Sequence, residues 1–215
     1  MKRSIDLVMF DLDGTLADTG RDLADAVNFT RARFNLAVLP DAAVLVHVGR
    51  GVEHLLRQAI PEETAARFAE VLRIFIKRYE DHLLDATMLY PNAHDVLNYF
   101  REKRRALVSN KLHRLTVAVA RGLGIEYCFD IILGGDSGPH KKPHPALLEH
   151  VLACFQLAPE RAVMIGDGDV DIQAGKHAGV LTCGVTYGLG DKQDVIAARP
   201  DFVVDHLSEI PRYFC

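Results

Sequence analysis

Four consecutive apolar residues, Leu7-Val8-Met9-Phe10, run directly into Asp11-Leu12-Asp13-Gly14-Thr15. A short apolar run with no alternation has both faces to hide, the pattern of a strand buried between two layers. The glycine and hydroxyl that follow mark its end as a turn. Asp11 and Asp13, two positions apart on extended backbone, project to the same side and can share one small site. Close carboxylates repel one another and lose solvation, so they call for a cation or a proton donor. The arrangement suits a divalent metal and a nucleophile–acid pair.

Behind Thr15 the periodicity becomes helical. Residues 21–34 carry Leu23, Val27 and Phe34 on one helical face, with Ala24 and Ala26 between them. Residues 41–48 are expected to form a short helix capped by Asp41. Gly49-Arg50-Gly51 interrupts it, a helix over 52–59 follows, and a long one is expected from Glu62 to about Leu84. The stretch 19–85 therefore reads as all helical. From Tyr90-Pro91 onward, helices over 93–103, 114–123, 145–155 and 171–178 alternate with apolar strands at 106–108, 131–133, 162–165, 181–186 and 202–204. Alternation of this kind implies a parallel sheet covered on both faces. The expected fold is α/β: a Rossmann-like parallel-sheet core with helices on both faces (residues 1–18 and 86–215), and a small all-helical cap domain (residues 19–85) inserted after the first strand.

With 215 residues the chain has room for one large domain, or for a core with a modest insert. A net charge of −4 gives no reason to expect nucleic acid or an anionic membrane as a partner. No apolar stretch approaches the roughly 20 residues needed to span a bilayer. Met1-Lys2-Arg3-Ser4 does not open a signal peptide, so a cytoplasmic location is expected. Cys128, Cys154, Cys183 and Cys215 have no paired spacing and read as small buried residues plus one at the terminus. His47 and His54, seven apart without carboxylates beside them, read as core or surface residues rather than metal ligands.

Ligands of an open parallel sheet sit beyond the carboxyl ends of its strands, and each remaining polar cluster lies at such an end or just before a helix. Ser109-Asn110 follow Val108, Gly166-Asp167-Gly168-Asp169-Val170-Asp171 follow Ile165, and Lys141-Lys142-Pro143-His144-Pro145 precede a helix. Taken singly, Ser109 could be a helix cap, Lys142 an exposed lysine, and the glycine–aspartate run a charged turn. Together, and in this order behind the DxDGT string, they resemble the motif set of the haloacid dehalogenase-superfamily phosphatases with a small helical cap. Gly134-Gly135-Asp136-Ser137 and Val185-Thr186-Tyr187-Gly188 add the texture of phosphoglycolate phosphatase-like members.

The resemblance implies a Mg²⁺-dependent phosphomonoester hydrolase acting on a small phosphorylated metabolite, with phosphoglycolate the first expectation. Asp11 would be the nucleophile, passing through an aspartyl-phosphate, and Asp13 the acid and then the base. Magnesium, a hard ion suited to oxygen ligands, would be held by Asp11, the Asp13 carbonyl and Asp167, with Asp171 supporting from outside that ring. Ser109 and the Asn110 backbone N–H would contact phosphoryl oxygens, and Lys142 would set a fixed positive charge against the phosphate and Asp11. Thr15 is placed among the substrate-binding residues, as are Arg50 in the cap loop, which could bind a substrate carboxylate, and Lys111, a second candidate for substrate contact. Asp169 either reaches the metal through water or favours the positive end of the next helix, the second being preferred. A different sugar or sugar-acid phosphate, such as N-acetylmuramic acid 6-phosphate, and a β-phosphoglucomutase-like phosphomutase are the alternatives. A catalytically silent phosphate-binding module and a dehalogenase fit the motifs less well. The expected assembly is a monomer or homodimer.

Overall fold

The structure, a computed structural model, describes residues 2–61 and 66–215. Strand β1 (Leu7–Phe10) is buried along its whole length. Its side chains alternate between two cores, which explains the unbroken apolar run: Val8 and Phe10 join Leu107, Val163 and Ile165, while Leu7 and Met9 join Ala106, Val108 and Met164. The helical cap, α1 (Gly20–Arg33), α2 (Asp41–Leu45), α3 (Val52–Ala59) and α4 (Phe68–Asp81), follows this first strand. Beyond it come α5 (Ala93–Tyr99), β4 (Arg104–Val108), α6 (His113–Gly122), β5 (Ile131–Leu133), α7 (Ala146–Phe155) and β6 (Ala162–Gly166). The chain ends through α8 (Asp169–His177), β7 (Leu181–Val185), α9 (Lys192–Ala197) and β8 (Phe202–Val204). The sheet order is β5-β4-β1-β6-β7-β8, and every neighbouring pair is parallel. The chain leaves β1 toward β4 on one side and returns to β6 on the other, so the crevice of the fold opens at the end of β1.

Between cap and core runs a neck that residue periodicity does not announce: β2 (Ala17–Asp18) pairs antiparallel with β3 (Met88–Leu89). Two residues per strand are too few to carry a pattern. Next to the neck, buried Asp22 of α1 accepts the backbone N–H groups of Ala86 and Thr87 and the Thr87 hydroxyl, at 2.7–3.1 Å. This carboxylate joins the outgoing and returning chains. Asp22→Ala is expected to cost about 2–4 kcal/mol by stranding those donors, measured as a lower urea midpoint with an unchanged slope.

Several boundaries differ from expectation. The helix expected over 93–103 stops at Tyr99, because Phe100 turns into the core and the Lys103 ammonium donates to the Ile5 carbonyl. Of the long helix expected from Glu62 to Leu84, the described part is Phe68–Asp81, and Glu62–Ala65 lie outside the described residues. Asp41 is not the cap of its helix. Extended Pro40 holds that position, and the Asp41 carboxylate meets Arg21 instead. Helix α8 starts at Asp169 rather than Asp171, because Asp171 accepts the Gly168 N–H and closes the first turn. Cys128 and Cys183 are buried, but Cys154 is exposed, on the outer side of α7. Helix α9 was not foreseen; Asp191 caps it by accepting the Gln193 N–H at 2.6 Å. Among the described residues no helix is long and apolar enough to cross a membrane.

Candidate active site

The end of β1 is fixed by backbone bonds before any side chain acts. The Asp11 N–H donates to Ile165, and the Leu12 carbonyl receives the N–H groups of Thr15, Leu16 and Ala17. The loop can turn so tightly because Gly14 has a φ of +83°, and a Cβ there would lie 2.0 Å from an Asp167 oxygen. Ser109 is held by its N–H on Leu133 at the end of β4. The Asn110 side chain grips Lys142 from both sides, accepting its N–H at 2.9 Å and donating to its carbonyl at 2.8 Å. The Lys142 ammonium then reaches the Val108 carbonyl and Asp11 Oδ1, at 2.5 and 2.9 Å.

Asp11, Asp167 and Asp171 are all buried, and each offers an oxygen within 4.8 Å of the others. Lys142 Nζ lies 2.6 Å from Asp171 Oδ1 without the alignment of a hydrogen bond, so that buried oxygen has no aligned donor among the described residues. Three carboxylates against one ammonium leave a formal charge of −2 among buried side chains. Burial therefore pushes the Asp11 carboxyl up to about 8; Lys142 opposes this, and Asp171, Asp167 and Asp13 add to it. Asp167 is raised to about 6 by burial and then by Asp171, against the pull of donors from Gly190, Thr15 and Leu189. Burial works against the Lys142 ammonium, but Asp11 and Asp171 outweigh it and raise its pKa. The Asp13 carbonyl accepts no N–H among the described residues. Excess charge and an oxygen without an aligned donor fit a hard divalent cation at the cluster of Asp11, Asp167 and Asp171, with the unpaired Asp13 carbonyl two residues from Asp11.

On the cap side the Thr19 hydroxyl and the Lys111 ammonium both donate to Asp13 Oδ1, at 2.6 and 2.8 Å. Lys111 also lies 3.0 Å from the hydroxyl of Tyr79 on α4. Burial disfavours this ammonium too, but Asp13 and Tyr79 raise its pKa on balance. Above the aspartates is a small cavity of about 40 Å³. Leu23, Val48, Val52, Leu55 and Phe75 of the cap and Leu112 and Leu115 of the core line it, with Asp11, Asp13, Ser109, Asn110, Lys111 and Tyr79 as its polar side chains.

The structure thus gathers Asp11, Asp13, Ser109, Asn110, Lys111, Lys142, Asp167 and Asp171 at one crevice. Two expected contacts are placed otherwise. The Thr15 hydroxyl donates to Asp167 Oδ1 at 3.0 Å and is fully buried behind it, so it supports that carboxylate and does not face a substrate. Arg50 turns away from the cavity and pairs with Asp169. Asn110 commits its side chain to the Lys142 loop and to the Gly49 carbonyl, and its backbone N–H has no partner among the described residues. Asp169 begins α8, as preferred, but its carboxylate is engaged by the cap. Helical spacing buries Tyr79 with Val71 and Phe75 on one face of α4, and nothing local reveals that its hydroxyl reaches a lysine 32 residues away. The N–H groups of Leu189 and Gly190, both on Asp167 Oδ2, were equally hidden; the only hint was the glycine-rich segment behind β7.

Comparison with known proteins agrees with this geometry. The family profile of haloacid dehalogenase-like hydrolases matches residues 5–179. A phosphoglycolate phosphatase of Chromobacterium violaceum is 36% identical over 97% of this chain and 96% of its own. One of Nitrosococcus oceani is 34% identical, over 98% and 96%. A crystal structure of a predicted phosphoglycolate phosphatase from Haemophilus somnus superposes with a TM-score of 0.90 at 30% identity, covering 97% of each chain. With a profile that spans most of the sequence and relatives that span nearly all of it, the chain belongs to the haloacid dehalogenase-like hydrolases.

Proposed function

We propose that the protein is a magnesium-dependent phosphomonoester hydrolase whose substrate is a small phosphorylated hydroxy acid, phosphoglycolate first. The observation that carries this reading is Lys111, the one cation among the described residues lining a largely apolar leaving-group cavity beside the buried aspartates. A sugar would bring several hydroxyls that need partners, whereas beyond the phosphate-facing groups this cavity offers chiefly Lys111 and Tyr79. A short leaving group ending in a carboxylate matches them. The names of the relatives above point the same way.

In this reading Asp11 attacks phosphorus in line, forming an Asp11 O–P bond as the bond to the leaving oxygen breaks. Both donors to Asp13 lie on Oδ1, which leaves Oδ2 to carry the proton given to the leaving oxygen. The same oxygen then takes a proton from the water that hydrolyses the aspartyl-phosphate. Ser109 accepts the Lys111 N–H at 3.3 Å, so its own hydroxyl hydrogen is free for a phosphoryl oxygen. Lys142 holds Asp11 in place and sets a positive charge beside the reacting group. Magnesium at Asp11, Asp167 and the Asp13 carbonyl would supply the charge that lets two anions approach. The chain works as a core (1–18 and 86–215) and a cap (19–85), joined at the β2–β3 neck.

The test is kcat/KM across phosphoglycolate, N-acetylmuramic acid 6-phosphate, hexose phosphates and p-nitrophenyl phosphate, with magnesium. Phosphoglycolate is expected to rank first. A sugar phosphate ranking first, or isomerised without phosphate release, overturns the reading. Lys111→Met keeps the bulk and removes the charge. It is expected to lower kcat/KM for phosphoglycolate about 100-fold more than for p-nitrophenyl phosphate, the size of a buried charged contact left unmade.

A further inference from the structure

Arg50 occupies the tip of the cap loop between α2 and α3, and its side chain crosses to the core. One terminal guanidinium nitrogen lies 2.8 and 2.7 Å from the two oxygens of Asp169. Gln173, one turn along α8, donates to the same carboxylate at 3.0 Å and holds it in position. The glycines on either side of Arg50 line the cavity, while the Arg50 side chain leaves it. Both have positive φ, +97° at Gly49 and +90° at Gly51, so the backbone folds back on itself around the arginine. The loop also sits tightly on the core: a Cβ on Gly51 would lie 3.2 Å from the Asn110 carbonyl oxygen, and Asn110 donates to the Gly49 carbonyl at 2.9 Å.

The cap must move for the site to be used. Asp11, Asp13 and Lys142 are 5%, 8% and 3% exposed, so a phosphomonoester cannot reach them past the closed cap. The cap is tethered at the two-residue strands of the neck and meets the core again at this loop and on α4, where Tyr79 and Glu80 meet Lys111 and Arg114. Asp169 stands two residues from Asp167 and on the same helix as Asp171. The contact therefore fastens the moving edge of the cap to the helix that carries the acidic cluster.

We infer that Arg50 and Asp169 form a latch that holds the cap loop closed over the leaving-group cavity, so that Arg50 is a positioning residue that does not touch the substrate. The pair is partly exposed, with side-chain accessibilities of 46% and 23%, so it biases closure rather than locking it. With the loop released, the cavity loses its lid over a small leaving group. A bulky aryl leaving group depends less on that lid.

The kinetic readout rests on the hydrolase reading above, and amide exchange supplies one that does not. Arg50→Gln and Asp169→Asn are each expected to lower the kcat/KM ratio of phosphoglycolate to p-nitrophenyl phosphate about two- to fivefold, the size of a partly exposed ion pair. The double variant should fall no further than either single one, and Arg50→Lys should recover part of the loss. Hydrogen exchange over residues 49–52 should quicken in both single variants at unchanged melting temperature. Loss in Arg50→Gln alone would mean that the guanidinium meets the substrate and would overturn the latch. Additive losses, or unchanged ratio and exchange, would overturn it as well. A wild-type enzyme inert toward phosphoglycolate would refute the substrate reading, while exchange at 49–52 would still decide the latch.

Discussion

Asp11→Asn is expected to abolish phosphate release while making the metal-free protein more heat-stable at pH 8. An amide cannot form the covalent phosphoryl intermediate, and loss of a nucleophile lowers turnover by about 10⁴-fold or more. Stability should move the other way, because burial is the largest influence on the Asp11 carboxyl and three neighbouring aspartates add to it. An uncharged side chain of the same shape escapes both. A gain of about 1–2 kcal/mol would raise the melting temperature by a few degrees. The two readouts separate a chemical role from a structural one. Turnover surviving in the variant would place the nucleophile elsewhere, and a lower melting temperature would mean that pairing with Lys142 outweighs the cost of burial.

The second large effect couples pH to magnesium. Asp11 and Asp167 have folded-state values of about 8 and about 6, above the ordinary 3.8. Groups raised on folding hold their protons longer in the folded chain, so their stabilisation is complete below pH 4. It fades as pH rises through about 6 for Asp167 and about 8 for Asp11. Each contributes a slope of up to about 1.4 kcal/mol per pH unit inside its window. With metal removed, the protein should lose several kcal/mol between pH 5 and pH 8, a fall in melting temperature on the order of 10 °C. Lys142, whose value is raised from 10.5, contributes a constant amount across that range. Asp6, Glu126 and Asp205 are held low by Arg161, Arg121 and Thr186, and their contribution changes only as pH falls below the ordinary carboxyl values of 3.8 and 4.5. Magnesium held by the ionised cluster, as proposed above, would flatten the slope and stabilise most at pH 8. Melting curves in chelator and in magnesium, from pH 5 to 8.5, check this; an equal magnesium effect at both ends would contradict it.

What could be seen in the residues alone follows from where the physics is local. The strands of the sheet were legible because burial on two faces leaves unbroken apolar runs such as Leu7–Phe10 and Ala162–Ile165. The polar residues behind those runs stood out for the same reason, since a strand end is where charge can re-enter. The neck was invisible because β2 and β3 have two residues each and owe their existence to each other. The partners of Arg50 and Thr15 were hidden by chain distance, 119 and 152 residues. Opposite charges far apart in a chain carry no mark of which will meet, so Arg50 was assigned to a substrate when it had a partner in α8. Tyr79 shows a subtler limit: helical spacing predicts which way a residue faces, and not what its polar tip will find there.

Around the crevice, the phosphorus-facing groups come from the core, whereas most of the apolar leaving-group-facing residues come from the insert. Leu23, Val48, Val52, Leu55 and Phe75 come from the inserted helices, whereas Asp11, Ser109, Lys142 and Asp167 come from the rims of three strands and one loop. Evolution can therefore redraw the ester this scaffold accepts by altering the insert while the bond-breaking apparatus stays untouched. Lys111 and Asn110 are exceptions: Lys111 lines the leaving-group cavity while it donates to Asp13, and Asn110 spans both sides. One amide holds both the Lys142 peptide and the Gly49 carbonyl, so drift at that position disturbs recognition and reactivity together.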